Sequence, residues 1–225
     1  VYTWPWFYGT VDNFIDWLLS AQSPERAYPI VTNHHMGPKD EPDLKFIFFN
    51  TEQLTRQSEI QNVLRFIKVA KHIVEIWDYS QVNVDILKSH GVEARLVKLG
   101  TSTEYSATLK TYLETQSKEY DIAFSGLCSP RRTAILKNLE DAGMTVKVLN
   151  STYGDERNKE IAKCKLLLNI HYNPTYKVFE ILRCDPWLSV GFPVITEESL
   201  DDDERAIVCS YDALVDTCKT FLSKV

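Results

Sequence analysis

Chemically useful side chains in this chain cluster where short apolar runs give way to polar loops. The densest stretch is Asn169-Ile170-His171-Tyr172-Asn173-Pro174-Thr175-Tyr176-Lys177-Val178-Phe179-Glu180, followed by Arg183 and Asp185. It reads as the end of a buried strand, a polar loop and a helix starting near Thr175. A cation such as Lys177 in a first helical turn opposes the helix dipole unless an anion is bound there too, so the segment is a candidate diphosphate site. Glu180 and Arg183, three residues apart, share a helical face and read equally well as a surface ion pair beside a solvated Lys177. A second candidate is Ser125-Gly126-Leu127-Cys128-Ser129-Pro130-Arg131-Arg132, again a strand end, a small-residue loop and a helix start. Guanidinium forks such as Arg131 and Arg132 match phosphate oxygens, although an ordinary loop with solvated arginines has the same composition. Tyr153, beyond another strand, is placed either to flank a base or to pack.

The first half offers a different set. Trp4-Pro5-Trp6-Phe7-Tyr8-Gly9-Thr10-Val11-Asp12 is an aromatic strand-end loop around Gly9. The rings of Trp6 and Tyr8 suit the C–H faces of a sugar, or belong to a core or an interdomain seam. Asp12 is a candidate general base or the N-cap of the next helix. His34 and His35 follow the second strand, where one imidazole would serve an acceptor hydroxyl. Glu52 follows the third strand and Asp78 the fourth. Four strand ends thus aim polar groups at one rim.

These loops need a scaffold, and the periodicity supplies one. Strand-like runs are expected over 1–4, 29–33, 45–49, 73–77 and 94–99, with helices over 12–20, 57–71 and 81–90. In the second half strands are expected over 120–125, 145–149, 166–170, 193–196 and 206–209, and helices over 130–142, 154–163, 175–188 and 211–225. Ser129 before Pro130 is a strong helix start. Strands alternating with crossover helices imply parallel sheets covered on both faces. The polar, Thr- and Ser-rich segment 100–119, weakly helical and with a helical run from Leu109 to Leu113, reads as a connector, giving an α/β chain with domains at 1–106 and 107–225.

The 225 residues carry a net charge of −6, which leaves no basic excess for binding nucleic acid. No apolar run reaches the roughly 18 residues a membrane span needs. There is no GxGxxG or Walker motif, which counts against a dinucleotide dehydrogenase or a P-loop NTPase. The five cysteines are an odd number without CxxC spacing, and most of them read as small buried apolar residues in a reducing compartment. Asp201-Asp202-Asp203 reads as a solvated turn. Val1 opens the chain inside an apolar run, as expected of a piece of a longer polypeptide.

The segment Phe179-Glu180-Ile181-Leu182-Arg183, with Gly191-Phe192-Pro193-Val194-Ile195-Thr196-Glu197 after it, resembles the donor-binding end of GT-B glycosyltransferases. In that end an acid on a helix precedes Gly-x-Pro-Val-Ile opening the next strand. The loop Asn150-Ser151-Thr152-Tyr153-Gly154 and the run Ile76-Trp77-Asp78-Tyr79-Ser80 are similar as well. The resemblance implies two Rossmann-like parallel-sheet domains facing across a cleft, with an acceptor glycan on the first and a nucleotide-sugar donor on the second. It places Glu180 on ribose hydroxyls. The donor's diphosphate would then be held by the helix start Asn173, Thr175, Tyr176 and Lys177 and by Arg131 or Arg132, with Gly9, Ser125, Gly126, Tyr153 and His171 elsewhere along the donor. Asp12, His34 and His35 become the candidate bases, and Trp6, Tyr8, Glu52 and Asp78 the acceptor side. No metal or other cofactor is implied. The chain lacks the family's Gly after the first acid, and Asp185 precedes Pro186 where a second Glu is expected, so Glu180 and Asp185 compete for the ribose. The chain also resembles transferase domains within multidomain proteins of large algal (chlorella) viruses. That implies L-rhamnose from UDP-L-rhamnose, flanking domains of a larger polypeptide and a place in the host cytoplasm. A GDP-mannose or GDP-fucose transferase, a nucleotide-sugar epimerase and a non-catalytic nucleotide- or glycan-binding module are the alternatives.

Overall fold

A computed structural model describes Tyr28, residues 30–32 and residues 44–225. The chain forms two compact units, Val1–Leu99 and Gly100–Val225. The strand expected over 1–4 and the helix expected over 12–20 lie outside the described residues.

In the first unit four strands pair in parallel and in sequence order: β1 (Ile30–Val31), β2 (Phe46–Asn50), β3 (Ile73–Asp78) and β4 (Arg95–Leu96). The central run Phe46-Ile47-Phe48-Phe49-Asn50 is buried at every position, as a parallel strand covered on both faces must be. Helix α1 (Gln57–Val69) turns Ile60, Val63 and Phe66 inward, and Phe66 packs on Phe48 with ring centroids 4.8 Å apart. Helix α2 (Gln81–Ser89) ends before Gly91, whose φ of 76° supplies the left-handed turn at its C-terminus. Strand β4 is shorter than the expected 94–99, pairing with β3 through Arg95 and Leu96 alone.

The second unit begins with α3 (Thr103–Thr115), where a connector was expected. Its N-terminus is capped by Ser102, whose Oγ accepts from the Tyr105 N–H, and Leu109 is fully buried. Threonine masks the helix in composition. Thr108, Thr111 and Thr115 turn their hydroxyls back onto carbonyls four residues earlier, which lets a Thr-rich stretch stay helical. There follow β5 (Tyr120–Ser125), α4 (Pro130–Asp141), β6 (Val146–Leu149), α5 (Gly154–Ala162), β7 (Cys164–Asn169), α6 (Ile181–Ser189), β8 (Val194–Glu197) and β9 (Ile207–Cys209). A short 3₁₀ turn, Tyr211–Ala213, leads into α7 (Leu214–Leu222).

These five strands are all parallel, in the order β6-β5-β7-β8-β9. After β6 the chain crosses back to the other side of β5, so the winding reverses between β5 and β7. In an open parallel sheet that reversal opens a crevice at the carboxyl ends of the two strands. Helices cover both faces. Tyr105 and Leu109 of α3 pack with Ile161 of α5 and Cys184, Trp187 and Leu188 of α6 on one face. Ile135, Leu136 and Leu139 of α4 pack with Leu214 and Cys218 of α7 on the other. Both units are therefore α/β with all-parallel, Rossmann-like sheets.

Helix α6 starts six residues later than the expected 175. Asn173 Oδ1 accepts from the Thr175 N–H (2.9 Å) and hydroxyl (2.6 Å), and the Phe179 N–H is taken by Asp201 Oδ1 (2.8 Å). With these donors satisfied elsewhere, residues 172–180 form a loop.

Candidate functional site

The crevice between β5 and β7 is lined by the loop after Ser125 and by the residues after Asn169. Gly126 sits there with φ 147°, and a Cβ built on it would lie 3.2 Å from Arg183 Nη2 and 3.3 Å from Arg132 Nη1. Two guanidinium groups therefore converge on the bare face of one glycine. Arg132, from the first turn of α4, is nearly fully buried. Its Nε donates to the Ile170 carbonyl (2.8 Å) and its Nη1 to that of Leu127 (2.9 Å). Its guanidinium lies 5.4 Å from the Phe124 ring centroid and 5.5 Å from that of Tyr172. Arg183, from the first turn of α6, donates through Nη1 to Asn169 Oδ1 (2.7 Å), and its Nη2 stands 3.6 Å from Glu180 Oε2. Burial, and then the neighbouring Arg183 charge, push the Arg132 pKa down to about 10. Arg157 of α5 is buried and lowered as well, by burial first and then by Arg183. Like charges held this close favour a polyanion between them.

The two adjacent arginines of α4 have different roles. Arg131 makes a two-pronged pair with Glu197 at the end of β8 and stacks 3.6 Å over the Tyr211 ring centroid. Its carbonyl also accepts from the Tyr211 hydroxyl (2.8 Å). Glu197 Oε2 further accepts from the His171 N–H (3.1 Å). Arg131 thus braces three loops, through Glu197, Tyr211 and the His171 carbonyl (3.3 Å).

His171 is fully buried, with Nε2 3.2 Å from the Glu198 carbonyl and 3.1 Å from Ser199 Oγ. A carbonyl only accepts, so the proton sits on Nε2 and Nδ1 is left bare, without a partner among the described residues. Burial holds the imidazole below its usual pKa and therefore neutral at pH 7. Lys177 lies exposed in the loop, outside any helical turn, so its expected place at a helix start is corrected. Its carbonyl accepts from the Leu200 N–H (2.8 Å). Ser125 is buried at the strand end, Tyr153 is the exposed N-cap residue of α5, and Tyr176 stands edge-on to Tyr172 with centroids 6.0 Å apart.

Of the two competing acids, Asp185 is buried and occupied. It accepts from the Thr101 hydroxyl (2.6 Å) and from Arg205 (2.8 Å). Glu180 stands at the N-terminus of α6 beside the arginine pair. The acidic run Asp201-Asp202-Asp203 is a partly exposed turn whose carboxylates also hold backbone and side-chain donors. Asp201 holds the Phe179 N–H, Asp202 accepts from the Ser199 N–H (2.8 Å), and Asp203 pairs with Arg205 (2.6 Å).

In the first unit Asp78 ends β3 fully buried. Its Oδ2 accepts from Asn50 Nδ2 (2.7 Å), and its Oδ1 from the Ser80 N–H (2.9 Å) and Asn83 Nδ2 (3.1 Å). Asn83 Oδ1 in turn accepts from the Leu54 N–H (2.9 Å), and the Glu52 carbonyl accepts from both Asn50 and Asn83. Asp78 thus presents no carboxylate to an acceptor but ties the ends of β2 and β3 together. Burial raises its pKa to about 7. Trp6, Tyr8, Gly9, Asp12, His34 and His35 lie outside the described residues.

Asn169 and Arg183 both lie in the stretch singled out from the sequence, but their pairing does not show there: the Asn that closes β7 meets the arginine fourteen residues on.

No protein-family model matches the chain. It is 36% identical over 187 residues to uncharacterized protein L140 of Acanthamoeba polyphaga mimivirus, an alignment covering 80% of this chain and 60% of that protein. With uncharacterized proteins L138 and L137 of the same virus it shares 31% identity over 242 and 216 residues, covering 93% and 92% of this chain. The chain spans only 27% and 29% of those two longer proteins. It is a homologue of this set of giant-virus proteins.

Proposed function

We propose that the chain is a glycosyltransferase that moves a sugar from a nucleotide-sugar donor to a glycan hydroxyl. The observation that carries the reading is the convergence of Arg132 and Arg183 over Gly126 at the reversal point of the second sheet, with Glu180 alongside. A nucleoside diphosphate matches this set. The two guanidinium groups meet the diphosphate, and the Glu180 carboxylate accepts from ribose hydroxyls. In the transfer the donor's C1–O bond to the diphosphate breaks and C1 bonds the acceptor oxygen, whose proton passes to a base: Asp12, His34 or His35 if the configuration inverts, the departing phosphate if it is retained. Negative charge then grows on the departing phosphate, where cations already fixed in position stabilise it most. The GT-B resemblance assigns the acceptor glycan to the first unit, and UDP-L-rhamnose is the first donor to try.

Calorimetric titration with UDP, GDP and dTDP and their sugar conjugates, with EDTA present, tests the reading. One nucleoside family should bind saturably. Arg183→Ala should weaken it by about 10- to 100-fold, the worth of a charge-assisted hydrogen bond. Glu180→Ala should weaken the nucleotides while sparing inorganic pyrophosphate. Failure of every nucleotide to bind overturns the donor site, and binding without sugar transfer to any acceptor points to a binding module.

A further inference from the structure

We propose that Tyr172 is the platform on which the transferred sugar of the donor lies, an inference that rests on the donor-site reading above. Tyr172 is a large aromatic residue left 40% exposed beside Arg132. It is held in place on three sides. Its carbonyl accepts from Ser129 Oγ (2.7 Å), the Arg132 guanidinium lies 5.5 Å from its ring centroid, and the Tyr176 ring meets it edge-on. An exposed ring fixed this way binds without having to be ordered first.

The two faces of the sheet decide which part of the donor it meets. Glu180 and Arg183 open α6, which packs with α3 and α5 on one face. Tyr172 is tied to the start of α4, which packs with α7 on the opposite face. With the ribose on Glu180, the base extends along the α5 and α6 side, where Tyr153 is the exposed N-cap residue of α5. The diphosphate crosses the crevice at Gly126, and the sugar emerges on the α4 side. A pyranose presents apolar C–H faces there, and the exposed Tyr172 ring is the matching surface.

The test uses the whole chain and whichever nucleoside diphosphate binds most tightly, titrated alone and as its hexose conjugate into wild type, Tyr172→Ala and Tyr172→Phe. Tyr172→Ala should weaken the conjugate at least fivefold and leave the free nucleoside diphosphate within twofold. Tyr172→Phe should match wild type on both. Equal weakening of both ligands by Tyr172→Ala assigns the ring to the base or to the loop and overturns the proposal, as does an unchanged conjugate affinity. Those outcomes leave the donor site standing. Absence of nucleotide binding by wild type removes the donor site and this proposal together.

Discussion

At Gly126 one methyl group is enough to disturb two guanidinium groups. The residue's φ of 147° disfavours any side chain, and the added carbon would press on Arg132 and Arg183 at 3.2–3.3 Å. Gly126→Ala should therefore cost about 1–2 kcal/mol of stability, read from urea unfolding, and lower nucleotide affinity at least tenfold. Asp78 makes a residue-scale prediction of opposite character. Its carboxyl titrates near 7 in the fold against 3.8 ordinarily, because burial penalises the charge. Between those values the folded chain holds a proton the unfolded chain has released, so stability falls as pH rises from about 4 to about 7. Asp78→Asn removes that titration but sets an NH₂ group against Asn50 Nδ2. The variant should be less stable at pH 5, and its urea midpoint should fall less than that of wild type between pH 5 and pH 8, since the Asp78 contribution is gone while buried His171 still titrates.

For the elements, helix α3 supplies the sharpest contrast between composition and packing. Leu109 in a solvated connector would tolerate alanine; buried between α5 and α6, Leu109→Ala should cost about 2–5 kcal/mol in chemical denaturation. The central strands were legible because parallel strands covered on both faces read as unbroken apolar runs, as Phe46 to Phe49 and Leu166 to Leu168 do. The Ser129–Pro130 helix start was legible because cap chemistry is local, and Ser129 Oγ does accept from the Arg132 N–H. The late start of α6 was not, because the donor that matters, Phe179 N–H, is satisfied by Asp201 twenty-two residues away. The same limit governs the site. The sequence placed two arginines side by side, but Glu197, sixty-six residues downstream, takes Arg131 and leaves Arg132 at the crevice. Loops are readable from the chain; the sharing of partners between loops depends on the fold.

For the whole molecule, the second unit has its own parallel sheet with a core on each face, and the full arginine and Glu180 set belongs to it. The fragment Gly100–Val225, expressed alone, should unfold cooperatively and bind the same nucleoside diphosphate within about threefold of the full chain. Loss of binding with the fold retained would place essential contacts in the first unit. The closeness of Arg132 and Arg183 has a last consequence, concerning the buffer in which the protein is kept. The two cations repel each other with Glu180 alongside, so a multivalent oxyanion supplies further counter-charge. Phosphate or sulfate should raise the melting temperature above that in chloride at equal ionic strength, and Arg183→Ala should shrink the gain.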